Sequence, residues 1–157
     1  FICLVESSKS ITFFSLSTFQ VNAILVLCLL KLTALGLNEI DIFIQRDMMA
    51  EPQAPRGSIP FSEPLIGDIK TSQSDSEIRC GTGDSFVQGF DPWFVTADID
   101  CVDMEGWALA YVAKQYDIPF RSFKYVSDLA DENAMQDWSA NIAKGAELFY
   151  EKIRNGI

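Results

Sequence analysis

The chain has 157 residues, of which 48% are hydrophobic and 22% are charged, and its formal net charge is −10. This composition is typical of a globular domain with its own core and excludes a disordered chain. A surface of this charge repels phosphate backbones, so we expect no nucleic-acid partner. The sequence contains no histidine, which excludes Ser-His-Asp and Cys-His catalysis and every His-ligated metal site.

The first 37 residues differ in charge from the rest of the chain. They carry one acid and two bases, and residues 11–30 carry no charge at all. Such a stretch is long enough to span a bilayer, but it also suits a secretory signal, a buried helix or strand, or sequence that is not native. These alternatives remain open, and we expect membrane association only through residues 11–30.

The elements between residues 41 and 86 come next in chain order. A short buried strand is predicted for Asp41–Gln45. Residues 48–76 contain four prolines and are predicted to be a loop, because proline removes a backbone donor and fixes φ. A second strand is predicted for Glu77–Cys80, and it continues into a loop, Gly81–Phe86, whose two glycines permit close approach of the backbone.

The second half of the chain alternates between strands and helices. A third strand lies within Trp93–Met104, a helix follows over Glu105–Tyr116, a strand over Ile118–Val126 and an amphipathic helix over Gln136–Arg154. This order predicts a mixed, largely parallel sheet flanked by helices. Ligands of such sheets bind beyond the carboxyl ends of the strands. We therefore expect neighbouring strand ends to bring Glu105 and residues 127–128 to one edge, beside the glycine loop.

Three motifs occur in a specific order: GTGDSF, VDMEGWALAYV and SDLADE. In these motifs the chain resembles the methylthioadenosine/S-adenosylhomocysteine nucleosidases of the purine nucleoside phosphorylase superfamily. The resemblance is best over Ile78–Ile157 and is weaker from Thr33, where TALGLNEIDIFIQRD is similar to a family segment. It implies a three-layer α/β fold that is incomplete at the N-terminus, with residues 1–32 an unmatched hydrophobic segment and residues 33–157 a partial α/β domain.

The resemblance also implies how the purine is bound. Phe86 would stack on the base and Val87 would offer it backbone hydrogen bonds, with Trp138 as a second aromatic residue nearby. Ile59 and Pro60 resemble the loop that closes the 5′-substituent pocket of a neighbouring subunit. We therefore expect a complete protein to be a homodimer.

The ribose and the leaving base are assigned to a second group of residues. By resemblance, Met104 packs under the ribose, Glu105 accepts hydrogen bonds from its hydroxyls, and Asp128 is the general acid that protonates N7 of adenine, oriented by Ser127. Asp103 is interpreted as a structural or hydroxyl-supporting group. A protonated purine is a good leaving group, and general acid catalysis of this kind contributes about 10²–10⁴-fold. The reaction requires neither metal nor cofactor.

One expected residue of the family is missing. The nucleosidases use a glutamate near the start of the fold to activate water, but the only acid before Thr33 is Glu6. The chain also begins with Phe1 and not with methionine, so we expect it to be a fragment or to contain an altered reading frame before about Thr33. A phosphorylase, a truncated chain that only binds base and ribose, and a membrane-anchored protein remain the alternatives to a nucleosidase.

The cysteines add a prediction about the compartment. Cys3, Cys28, Cys80 and Cys101 include no C-x-x-C pair. Cysteines of this kind are typical of reduced thiols in a cytoplasmic protein.

Overall fold

The computed structural model describes residues 3–5, 21–23, 26–28, 32, 36–71, 77–87, 89–128 and 134–155. Within these ranges the side chains of residues 3–5, 21–23, 26–28, 128, 134–139 and 142 are not described. Several predictions fall on the remainder: Glu6, most of the uncharged stretch, and the side chains of Asp128 and Trp138 lie outside the described part.

The centre of the fold is a mixed seven-stranded sheet with the strand order β4-β9-β3-β8-β7-β5-β6. Neighbouring strands are parallel in the pairs β5–β7, β7–β8 and β3–β9 and antiparallel in the other three pairs. The chain-order bounds are β3 Val26–Cys28, β4 Leu37–Ile40, β5 Ile42–Gln45, β6 Ile69–Lys70, β7 Arg79–Thr82, β8 Cys101–Asp103 and β9 Ser122–Asp128. Two further strands, β1 (Cys3–Val5) and β2 (Val21–Ala23), form a separate antiparallel pair.

Three helices complete the described structure: α1 (Pro92–Thr96), α2 (Gly106–Gln115) and α3 (Ala134–Arg154). Successive residues of a strand point to opposite faces of the sheet, and helices cover side chains on both faces. Phe43 lies in a buried cluster with Trp107 and Ala110 of α2, whereas Ile44 lies in another cluster with Phe94 of α1. The predicted α/β fold with helices flanking a mixed sheet is confirmed.

Most predicted elements are present with small shifts at their ends. The second strand begins at Arg79 and the last strand begins at Ser122, later than predicted. Helix α1 was not predicted, although Asp91 caps it by accepting a hydrogen bond from the Trp93 amide at 2.9 Å. The proline-rich loop contains the short edge strand β6 and an isolated bridge between Ile59 and Ile66.

The prediction that the strands leading to Glu105 and Asp128 are neighbours in the sheet was wrong. Strand β3, from the uncharged stretch, lies between β8 and β9 and is antiparallel to β8 but parallel to β9. Leu27 is paired with Val102 on one side and with Asp128 on the other. The backbone of Asp128 is therefore level with Val102, about two strand spacings or 10 Å away. The sequence could not reveal the position of β3, because the pattern of residues 26–28 does not specify which strands it pairs with.

Two observations concern the cysteines and the uncharged stretch. Cys80 and Cys101 are free and buried, as predicted for reduced thiols. The described residues of the uncharged stretch, Val21–Ala23 and Val26–Cys28, are strands. Within the described ranges, every helix is too short or too polar to cross a membrane.

Candidate active site

The turn that follows β8 is built around the buried carboxylate of Asp103. Its Oδ1 accepts a hydrogen bond from Thr82 Oγ1 at 2.6 Å, and its Oδ2 accepts from Gly106 N at 2.8 Å and Lys124 Nζ at 2.5 Å. Its backbone carbonyl also accepts from Gly83 N at 3.0 Å. Both carboxylate oxygens are thus occupied by protein groups, and the geometry favours the structural alternative for Asp103.

Glu105 occupies the N-cap position of α2, but its side chain makes no capping hydrogen bond. The first amides of the helix are bound by other groups: Asp103 accepts from Gly106 N, and Thr82 Oγ1 accepts from Trp107 N at 2.8 Å. An acid at a helix N-terminus is favoured by the helix dipole even where it binds no ligand. Because Asp103 and Thr82 bind the first amides of α2, the Glu105 carboxylate is not used to cap the helix.

Lys124 and Asp103 form a buried ion pair beneath this turn, and neither side chain is exposed to solvent. Burial alone would raise the pKa of Asp103, but the charge of Lys124 and the hydrogen bonds from Lys124, Thr82 and Gly106 outweigh it, so the pKa lies below its ordinary value. Burial would likewise lower the pKa of Lys124, but Asp103 raises it above its ordinary value. Both groups therefore stay charged at neutral pH.

Glu105 itself lies in a half-buried position. Burial raises its pKa above the ordinary 4.5, and the neighbouring Lys124 charge partly opposes that rise. Met104, immediately before it, is 40% exposed. The turn after β8 therefore presents an acid and an apolar residue that are both partly accessible to solvent.

The loop that follows β7 lies next to this turn. The Val87 side chain is buried in the α1-side core cluster, so only its backbone is available to a ligand. Phe86 is half-buried and packs against the same cluster. Arg46 reaches the loop from the end of β5, donating hydrogen bonds to Ser85 Oγ at 3.2 Å and to the Gly83 carbonyl at 3.0 Å.

The remaining predicted residues lie in three other places. Ser127 is buried in β9, and its carbonyl accepts a hydrogen bond from Asn141 Nδ2 of α3 at 2.9 Å. Ile59 and Pro60 are half-buried in the proline-rich loop. The structure brings Asp103, Met104 and Glu105 together beside the Phe86 loop, whereas the predicted convergence of Asp128 and Trp138 on this site stays a prediction.

Sequence reasoning did not single out Lys124 or Arg46. Each carried a usable signal, since Lys124 is a charged residue in the middle of the strand FRSFKYV and Arg46 directly follows the apolar strand IFIQ. Charged residues are rarely buried without a partner, so a charge within or at the end of a buried strand indicates a specific contact.

Residues 80–154, just under half of the chain, match the family model described as "Phosphorylase superfamily". This segment contains the GTGDSF, VDMEG and SDLADE motifs, and its match to the superfamily model agrees with the resemblance.

Solved structures of nucleosidases share the fold. A Helicobacter pylori 5′-methylthioadenosine nucleosidase with 5′-methylthioadenosine in its active site has 22% identity and a TM-score of 0.70, covering 83% of this chain and 66% of its own. A Streptococcus pneumoniae 5′-methylthioadenosine/S-adenosylhomocysteine nucleosidase with a transition-state inhibitor has 19% identity and a TM-score of 0.62, covering 79% and 64%. A futalosine hydrolase from Helicobacter pylori has 25% identity and a TM-score of 0.68, covering 79% and 61%.

The chain therefore spans about two thirds of the length of these structures or slightly less. A comparison with curated proteins found no match.

Proposed function

We propose that the chain carries the base- and ribose-binding part of a purine nucleoside N-ribosyl hydrolase. The proposed substrates are 5′-methylthioadenosine and S-adenosylhomocysteine, from which adenine is released. Glu105 binds the ribose hydroxyls, Met104 packs against the sugar, and Phe86 stacks on the base. The match to the superfamily over residues 80–154 supports this assignment, as do the nucleosidases that share the fold.

The observation that carries the proposal is that the Glu105 side chain makes no hydrogen bond that caps α2. Asp103 Oδ2 accepts from Gly106 N and Thr82 Oγ1 accepts from Trp107 N, so these first amides of α2 are bound without Glu105. A preorganised carboxylate at this edge stabilises the positive charge that develops on the sugar when the glycosidic bond breaks. As an anion it also accepts strong hydrogen bonds from two ribose hydroxyls.

Asp128 is the proposed acid. Its proton would pass to N7 of adenine while the C1′–N9 bond breaks. Water would then bond to C1′, and the proton that the water loses would return to the Asp128 carboxylate through solvent, giving adenine and a free sugar. Within β9, Asp128 directly follows the buried Ser127, and a general acid in this role must be protonated near neutral pH. Leu27 of β3 lies between β8 and β9 and separates the backbone of Asp128 from the backbone of Val102.

The proline-rich loop supports a second part of the proposal, a homodimer of the complete protein. Ile59 and Pro60 are followed by two apolar side chains that are exposed to solvent, Phe61 at 85% and Leu65 at 53%. Exposed apolar groups on one loop are typical of an interface. The double variant Phe61→Ser/Leu65→Ser is expected to sediment as a monomer in analytical ultracentrifugation, whereas the original protein should sediment as a dimer. Equal masses for the two proteins would contradict the proposed dimer.

Product analysis separates the hydrolase from the phosphorylase. The chain is incubated with 5′-methylthioadenosine with and without inorganic phosphate, and the sugar product is identified by mass spectrometry. We expect adenine and free methylthioribose at equal rates in both reactions. Formation of a sugar 1-phosphate that depends on phosphate would assign the chain to the phosphorylases, and the absence of adenine in both reactions would contradict enzymatic cleavage.

A further inference from the structure

We propose that Arg46 is a positioning residue that holds the Gly83–Val87 segment in the conformation that receives the purine. The inference rests on the proposed function for the identity of the ligand. Arg46 follows β5, and its side chain is 95% buried, since only 5% of the residue is exposed. It lies outside the GTGDSF, VDMEGWALAYV and SDLADE motifs, within the segment of weaker similarity that begins at Thr33.

The guanidinium binds the loop at several points. One terminal nitrogen donates to Ser85 Oγ, and the other donates to the backbone carbonyls of Gly83 and Ser85. The backbone amide of Arg46 also donates to the Thr82 carbonyl at 2.8 Å. Planar guanidinium groups with several fixed donors orient their partners more strictly than a lysine does. The loop conformation between Gly83 and Ser85 is therefore set from β5.

Asp47 adds a contact on the other side of the same turn. Its Oδ2 accepts a hydrogen bond from the Asp84 amide at 2.7 Å. Gly83 permits this approach, because a Cβ there would lie 2.8 Å from Asp47 Cγ and 2.9 Å from Arg46 Cζ. Two consecutive residues after β5 thus hold the turn that leads into Phe86.

The proline-rich loop reinforces the position of Arg46. Arg56 Nε donates to the Arg46 carbonyl at 2.8 Å, and Arg56 also forms an ion pair with Asp91 at 2.7 Å and lies over the Trp93 ring at 4.3 Å. Arg46 therefore connects three segments: the end of β5, the proline-rich loop and the purine-binding loop. Loss of the Arg46 side chain would remove its three contacts with Gly83 and Ser85 while the strand pairing of β5 with β7 remains.

The test compares Arg46→Met with a matched control, Arg79→Met. Arg79 is the first residue of β7. Its side chain, like that of Arg46, donates a hydrogen bond to a backbone carbonyl, that of Ala97 at 3.0 Å, and it also donates to the Asp68 carboxylate at 2.6 Å. Two quantities are measured on the whole chain: amide hydrogen exchange of residues 83–87 by mass spectrometry, and the Kd for adenine by calorimetry. Arg46→Lys is measured in parallel in case the methionine variant does not fold.

We expect Arg46→Met to accelerate exchange at residues 83–87 and to raise the adenine Kd by about tenfold or more, with a smaller effect in Arg46→Lys. Arg79→Met should change neither quantity beyond what its own stability loss explains. Exchange that is unchanged in both Arg46 variants would overturn the proposal, and so would faster exchange with an unchanged adenine Kd. If the original chain binds no adenine, the proposed function fails, while the exchange rates still decide whether Arg46 holds the loop.

Discussion

At the scale of single residues, a buried ion pair organises the candidate site. Burying two charges costs several kcal/mol per ion unless each charge is paired and hydrogen-bonded. Asp103 satisfies this requirement with Lys124, Thr82 and Gly106, and the same contacts fix the turn that presents Glu105. The ion pair thus connects the stability of the fold with the geometry of the site.

Replacement of Lys124 by methionine tests that connection. The variant leaves the Asp103 carboxylate buried without its cation, which is expected to lower the free energy of unfolding by about 3–5 kcal/mol. Urea denaturation followed by tryptophan fluorescence measures the loss. The double variant Lys124→Met/Asp103→Leu removes both charges and should recover part of it, whereas a double variant that is no more stable than Lys124→Met would argue against an unpaired charge as the cause.

The Glu105 carboxylate makes a prediction about activity. Glu105→Gln keeps the size of the side chain but removes its charge, and should lower kcat/KM for 5′-methylthioadenosine by about 10²–10³-fold. Glu147→Gln, an exposed position on α3, is the control and should leave activity unchanged. A kcat/KM for Glu105→Gln within about threefold of the original would remove Glu105 from the site.

The pH profile follows from the same residue. Burial raises the pKa of Glu105 above 4.5, and the proposed contact with the ribose hydroxyls requires the ionised form. As pH falls, activity should therefore decline at a higher pH than an exposed glutamate would give. Glu105→Gln should abolish this decline in kcat/KM, which is measured by adenine release across the acidic range.

At the scale of elements, helix α2 is the part that the site depends on most directly. Its first residue, Gly106, is packed so closely that an added Cβ would lie 2.5 Å from Asp103 Oδ2 and 2.5 Å from the Phe43 ring. The helix therefore cannot begin with a larger residue without moving the acid or the core. The glycine of the VDMEG motif is required by packing.

Gly106→Ala is consequently expected to destabilise the protein, although alanine is favoured over glycine in helices by about 1 kcal/mol. Overpacking of a buried site costs about 1–3 kcal/mol, so a lower urea midpoint is expected. The matched control is Gly36→Ala, where an added Cβ meets no atom within 4 Å. Equal stability of the two alanine variants would contradict the close packing at Gly106.

The local sequence pattern predicted those strands and helices whose apolar periodicity is visible within a few residues. Strands β5 and β8 and helices α2 and α3 follow from apolar periodicity, which depends only on neighbouring positions. Strand β4 was missed because Leu37–Ile40 is polar at its centre and gains its stability from pairing with β9. Helix α1 was missed because five residues give too short a periodic signal.

At the scale of the whole molecule, the sheet depends on pairing between distant segments. Strand β3 separates β8 from β9, and only tertiary contact specifies this place for residues 26–28. The sequence could predict that Glu105 lies between a strand and a helix, as the structure shows, and its role in a site stays a prediction. It could not predict the supporting contacts of Lys124 and Arg46, because each joins segments more than 20 residues apart.

The measurement that tests the whole account most directly is the rate of adenine release from 5′-methylthioadenosine by the original chain, by Asp128→Asn and by Asp131→Asn. If Asp128 delivers the proton to the departing base, Asp128→Asn should be slower by about 10²–10⁴-fold. Asp131→Asn, three residues later in the same motif, should match the original chain. An original chain that releases no adenine, or an Asp128→Asn variant that releases it at the full rate, would contradict the account.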